Sequence, residues 1–206
     1  LLIVGGCDFG ADPRLGYRDQ PVVWTAEALP TVLDVRPSDP GVAAFPLDAK
    51  PLLRAVTTLA GDDTAERYGV IPSEAGDHRV RLSGAVTAEI AVVLPLDHFF
   101  DHRAAAALRL WRALKGLKAG PDAMPLTHYA RRQLILVLRA LDGVRDGADE
   151  RDIAAALFNV RTANRRAWLA SEHYARLRRL LARGRTLLNG GYRQILRPAP
   201  RRPRRK

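Results

Sequence analysis

Residues 149–158, DERDIAAALF, and residues 171–189, SEHYARLRRLLARGRTLLN, decide how the chain reads. Asp149 stands where a helix N-cap belongs, and Asp152 takes the capping-box position three residues on. Ile153, Ala154, Leu157 and Phe158 follow at the spacing of one apolar helix face. The second segment predicts a long helix with an inner stripe of Tyr174, Leu177, Leu181, Gly184 and Leu188. Gly184 lies within that stripe, where the smallest side chain lets another helix come close. Arg176, Arg179 and Arg183 then line one flank, and Arg178 and Arg185 the other. A short capped helix followed by a basic one is helix-turn-helix grammar, in which the last helix presents polar and basic side chains to the major groove.

Working outward, a supporting helix is predicted from about Thr127 to Leu141, with Ala130, Leu134, Leu138 and Leu141 inward and Asp142-Gly143 as its stop. Between the short and long helices, residues 159–170 exceed the usual turn of three or four residues. Asn159 stands where Gly is usual, and the loop carries Arg161, Arg165, Arg166 and Trp168. Thr162 can start a short helix there, so the reading element is either residues 163–170 or residues 172–189. Trp168 is expected as a plug between helices rather than a stacking platform for bases. Gly190-Gly191 ends the long helix, and residues 192–196, Arg193 among them, are expected to pack back. Pro198, Pro200 and Pro203 keep the basic tail 198–206 out of any helix.

The N-terminal half reads differently. Residues 1–20 are expected to be loop or disordered, with Gly5, Gly6, Gly10, Pro13 and Gly16. Gly5-Gly6-Cys7 is not a nucleotide-binding fingerprint, since no strand precedes it and no helix follows. Residues 22–35 are strand-like but split by Pro30, residues 36–50 are rich in turns, and residues 51–60 suit helix or strand equally. From Val80 to Leu94 apolar residues alternate with polar ones as in a strand with one buried face, and Ser83-Gly84 is a candidate break into a hairpin or bulge. A helix capped by Asp97 is expected to run to about Leu117, with Phe100, Ala104, Ala107, Trp111 and Leu114 facing in, and residues 116–125 form a linker. The fold class is therefore α+β: a small β-rich part at 21–120 with a closing helix, then a helix-turn-helix-like domain at 121–197.

Charge adds a functional argument. The chain has 206 residues and a net charge of +11. Residues 1–99 hold 8 Lys/Arg against 14 Asp/Glu, whereas residues 100–206 hold 25 against 8. From Arg161 onward there are 15 basic residues and one acid, Glu172. A field of one sign this lopsided points to a polyanion, here double-stranded DNA, with the basic tail lying along phosphates. Hydrophobic residues make up 47%, which argues against disorder of the whole chain. A single cysteine, Cys7, excludes an internal disulfide and any multi-cysteine zinc module. The single thiol makes a reducing cytosol the expected location, and with no apolar run long enough to span a bilayer no membrane partner is expected. Leu1 opens the chain without Met, which predicts a missing N-terminal part.

Enzymatic alternatives are thin. His98 and His102 lie four apart on the expected helix beside Asp97 and Asp101, but no Glu follows His98 in the zincin position and no third strong ligand is evident. Asp62, Asp63 and Glu66 read as a charged turn. No phosphate loop and no nucleophile elbow appears. The expectation is no enzyme, no cofactor and no metal.

Leu138-Arg139-Ala140-Leu141-Asp142-Gly143, then Gly147-Ala148 and Arg151-Asp152-Ile153-Ala154, then Arg178-Arg179-Leu180 with Arg183-Gly184, and finally Gly190-Gly191-Tyr192-Arg193, resemble a bacterial helix-turn-helix-variant family. The family was formerly labelled a domain of unknown function. Its members belong to integrative and conjugative elements. More weakly, the resemblance reaches Pro21-Val22-Val23-Trp24 and residues 79–117. It implies a transcriptional activator of element excision and transfer, with RNA polymerase and a related activator or antiactivator as protein partners. The alternative it offers is an antiactivator that sequesters such an activator. Long members carry a further N-terminal segment, and Asn159 departs from the family's usual Gly. The candidate DNA-contacting residues are Arg161, Arg165, Arg166, Arg176, Arg178, Arg179, Arg183, Arg185 and Arg193.

Overall fold

The computed structural model describes residues 14–15, 19, 22–39, 41, 47–54, 56, 66–73, 76–84, 89–161 and 164–197. The fold is α+β, a four-stranded sheet followed by helices. These residues fall into two compact units, one within Leu1–Pro125 together with Arg193–Lys206, the other Leu126–Tyr192. Most of residues 1–20, the tail 198–206, Thr162, and Asp62 and Asp63 of the acidic turn lie outside the described residues.

In the first unit, strands β1 (Leu33–Pro37), β2 (Glu66–Ile71), β3 (His78–Ser83) and β4 (Ile90–Val93) form one sheet in the order β2-β3-β1-β4. β1 runs parallel to β3, pairing Leu33 with Val80, and antiparallel to β4. β2 pairs antiparallel with β3. A short helix α1 (Lys50–Arg54) lies between β1 and β2 in sequence, and α2 (Phe100–Leu114) follows β4. Leu33, Val35, Val80 and Leu82 bury one face of the sheet against Ala106 and Leu110 of α2. Tyr68 and Val70 bury the other face with Val23, Leu29 and Val32. Leu196 of α7 (Arg193–Leu196) packs onto that second cluster.

Several expectations are corrected here. The alternation from Val80 to Leu94 is not a hairpin or a bulged strand, because β3 and β4 do not pair: β1 lies between them. Gly84, at φ +77°, takes the left-handed turn that carries the chain out of β3. Residues 22–24 are not strand. The Ala28 and Leu29 amides donate to the Thr25 carbonyl, the Val32 amide donates to the Leu29 carbonyl, and Pro30 has no amide to give, so pairing starts at Leu33. Helix α2 starts three residues after Asp97, whose carboxylate accepts from the Phe99 amide at 2.9 Å and holds Arg103. Its buried stripe is Ala106 and Leu110, while Phe100 and Trp111 are 37% and 45% exposed.

Asp34 is the buried acid of the sheet, 8% exposed. Its Oδ2 accepts from Arg36 at 2.6 Å and Arg81 at 2.9 Å, and its Oδ1 accepts from Ser83 Oγ at 3.1 Å. Burial resists ionisation, but the Arg36 and Arg81 guanidiniums and the Ser83 hydroxyl outweigh it, so the carboxyl titrates below the usual 3.8. A carboxyl depressed on folding stabilises the fold above its unfolded pKa, and that contribution fades as pH falls through the folded value. Asp34→Asn is expected to cost about 2 kcal/mol at neutral pH, mainly through Arg81 and Ser83, because Arg36 is half exposed. It should also flatten the loss of stability below about pH 4. Urea midpoints across pH for the two proteins check this; parallel curves would contradict it.

The second unit contains α3 (His128–Arg145), α4 (Glu150–Phe158), α5 (Arg165–Leu169) and α6 (Glu172–Thr186), followed by a π-helical turn at Leu187–Gly191. Its core is Val137, Ala140, Ile153, Ala154, Trp168, Leu177, Leu180 and Leu181. Thr127 caps α3 by accepting from the Ala130 amide, and Asp149 caps α4 by accepting from the Arg151 and Asp152 amides. α3 does not stop at Asp142-Gly143 but runs on to Arg145, and Gly147 at φ +81° follows its end. Gly143 serves packing instead: a Cβ there would meet Ile153 Cγ1 at 2.8 Å. The inward face of α3 is Val137 and Ala140, and Leu138 is 60% exposed.

Candidate nucleic-acid interface

Helix α6 is set in place by its cap and its core. Ser171 Oγ donates to the Trp168 carbonyl at 2.7 Å and accepts from the Tyr174 amide at 3.1 Å, so one hydroxyl joins the end of α5 to the start of α6. Leu177, Leu180, Leu181 and Gly184 are buried. A Cβ on Gly184 would meet Leu141 Cγ and Cδ2 at 2.9 Å, so the glycine allows the close approach of α3. Leu188, expected in the same stripe, is 70% exposed, because the helix gives way to the π turn after Thr186 and Gly190 adopts φ +97°. Asn159 ends α4 in the left-handed region at φ 55°, the conformation that Gly would take most freely.

The inserted loop holds a helix, as the sequence allows. Asn164 rather than Thr162 caps it, accepting from the Ala167 amide at 2.9 Å. Trp168 is buried with its ring edge-on to Tyr174, centroids 5.5 Å apart, which is the expected plug. Arg165 and Arg166 are exposed on α5, as is Arg161 just beyond α4.

All five arginines of α6 are exposed, and the helical repeat puts them on two flanks of the buried stripe. On one flank lie Arg176, Arg179 and Arg183. The Arg176 guanidinium carbon sits 4.4 Å from the centroid of the Phe158 ring, which fixes its direction by cation–π attraction. His173 stacks on the same ring, centroids 5.7 Å apart. Arg179 and Arg183 form no ion pair with a described acid. Ala175, Ala182 and Thr186 fill the outermost face beside them, and the exposed Glu172 heads the same flank, four residues before Arg176. On the other flank, Arg178 Nη1 lies 3.3 Å from Glu150 Oε1, and Arg185 is exposed.

Arg165 borders a hollow lined by Asp149, Glu150, Arg151, Trp168, Leu169 and Tyr174, on the side of α6 that carries Arg178. Arg193 belongs to α7 in the first unit. The nine arginines singled out in the sequence are thus all exposed; those of α6 divide between its two flanks, and Arg193 belongs to the other unit. Two partners were not foreseen as such: Phe158, read only as an inward residue, and Glu150, unremarked in the capped turn. An aromatic residue ending one helix and an acid beginning it were the available cues.

His102 Nδ1 lies 2.9 Å from the Ala123 carbonyl, so this ring is engaged by backbone. Among the described residues no three His, Cys, Asp or Glu converge as a metal site. No helix among them is long and apolar enough to cross a membrane.

A comparison with curated proteins finds no match. Residues 93–197, more than half of the chain, match a family described as "T6SS, Transcription factor, DNA binding domain". That span runs from the end of β4 through α7 and includes the whole of the helical unit. With a capped α4, a basic α6 packed across α3 through Gly184, and this match, the chain belongs to the T6SS transcription factor DNA-binding domain family and is a DNA-binding regulator.

Proposed function

We propose that the chain is a transcriptional activator that binds double-stranded DNA by placing the Arg176–Arg179–Arg183 flank of α6 in the major groove. The observation that carries this reading is that flank: three exposed arginines, one oriented by Phe158 and two without a described acid partner, beside small residues. Phosphate contacts would supply most of the affinity, and one or two arginine forks on guanine the selectivity. Arg161, Arg165 and Arg166 would hold the backbone nearby. RNA polymerase is the protein partner an activator implies, and the cytoplasm is where it would work.

Two sets of target genes have support. The residues shared with regulators of integrative and conjugative elements favour control of excision and transfer. The description of the matched family favours T6SS genes. Footprinting with the purified protein on the DNA around its own gene tests the reading and separates the targets. We expect a protected site whose occupancy falls steeply with salt. No protection, together with capture of a related activator from the same cells, would favour the antiactivator reading instead.

A further inference from the structure

Phe158 is the last residue of α4, and its ring is shared by two side chains of α6. The Arg176 guanidinium carbon lies 4.4 Å from the ring centroid, and the His173 ring stacks on it with centroids 5.7 Å apart and 28° between the planes. His173 and Arg176 are three residues apart, so a single turn of α6 holds the ring. From the other side the ring is held by the helical core, against which Phe158 packs. Arg176 is exposed and makes no hydrogen bond or ion pair with a described residue. The acid one turn before it, Glu172, lies 3.7 Å from His173 Nε2 instead. Arg179 and Arg183 also lack a described acid, but no described ring lies under them.

We propose that Phe158 is a positioning residue that prepares Arg176 to read one guanine of the operator, while Arg179 and Arg183 hold phosphates. This rests on the reading of α6 as the DNA-contacting helix. An unrestrained arginine side chain samples many rotamers, and ordering it on a target opposes binding. A phosphate contact tolerates several of those rotamers, because the charge is what counts. A fork on guanine O6 and N7 tolerates one, because two hydrogen bonds must form together. The arginine that is already ordered is therefore the one suited to a base. No N–H of Arg176 is committed to an acceptor within the described residues, so the contact with Phe158 orders the group and leaves its donors for a base edge.

A randomised DNA duplex pool, captured by the full chain and sequenced before and after, tests the proposal through base preferences. The wild type should enrich a motif containing a guanine. Arg176→Lys keeps the charge and loses the fork, and it should lower the preference for that guanine by about tenfold or more. Phe158→Leu keeps an apolar side chain against the core and removes the π face, and it should lower the same preference by about threefold. Phe158→Tyr retains the face and should keep the wild-type preference. Adding Phe158→Leu to Arg176→Lys should change the preference no further, since the two residues act as one. The slope of log affinity against log salt should stay at the wild-type value in both single variants, whereas reversing Arg179 and Arg183 makes it shallower.

A preference is a ratio between bases, so an unfolded fraction in any variant leaves it unchanged. A Phe158→Leu variant that keeps the full guanine preference overturns the proposal. So does a loss spread evenly over all positions of the motif, which is what a merely structural ring would give, and so does a wild type that enriches no guanine. Each of these results leaves the α6 reading intact as long as reversing Arg179 and Arg183 still weakens capture of the pool. Capture unaffected by that reversal would remove α6, and Arg176 with it, from the DNA.

Discussion

Replacing Arg179 and Arg183 together by Glu is expected to reduce operator binding by about 10²–10³-fold while leaving the fold unchanged. Both side chains are exposed on the outer flank of α6 and pair with no described acid, so reversing them breaks no packing inside the protein. Each reversal removes one cationic contact and sets a carboxylate against phosphate. Together these account for about 3–4 kcal/mol. The slope of log affinity against log salt should also become shallower by about two, one for each lost phosphate contact. Arg176 is a poorer position for the same test, because its guanidinium lies over Phe158 and its loss also alters packing between α4 and α6.

Arg178→Glu provides the control. It lies on the opposite flank beside Glu150 and should lower affinity far less than the double variant. Fluorescence anisotropy at fixed salt, with circular dichroism alongside, measures all of these. A double variant that binds within about threefold of wild type would remove this flank from the interface.

The helical half was more legible than the sheet, and particular residues show why. Asp149, Ser171 and Gly184 act within one turn of their own position or through a simple absence of side chain, so local chemistry announces them. Asn159 stands where Gly is usual, and its sequence position alone did not give the turn geometry; it takes the left-handed region that Asn tolerates better than most residues. Asp142-Gly143 misled because an Asp-Gly pair can end a helix or continue it. The choice fell to Ile153, ten residues on, which needs the space over Gly143.

In the sheet, Val70 and Ile71 are neighbours buried on opposite faces, since both faces are covered. β2 therefore lacks the alternation that marks a strand with one wet face. The crossover of β3 past β1 to β4 rests on pairings that no local pattern encodes. The arginine flanks followed from spacing alone. The pairing of Arg178 with Glu150 did not, because it spans 28 positions and depends on how α4 crosses α6.

Truncating Leu177 to Ala is expected to lower stability by about 3–4 kcal/mol, one of the largest effects available in the helical unit. Leu177 is 0% exposed and shares its core with Val137, Ala140, Ile153 and Ala154, so α3, α4 and α6 all lose contacts at once. Its surroundings have little freedom to close over the gap, because Gly184 already holds α6 tight against Leu141 and Gly143 holds α4 tight against α3. Leu188→Ala is the contrast: the periodicity of the sequence assigns both leucines to one stripe, yet Leu188 is 70% exposed and its truncation should cost under about 0.5 kcal/mol. Urea midpoints at constant m separate the two. Equal losses would mean that α6 buries a different face from the one described, and the arginine flanks would rotate with it. The Leu177 variant should bind DNA less only in proportion to its unfolded fraction, with the affinity of folded molecules unchanged, whereas the arginine reversals weaken binding by fully folded protein.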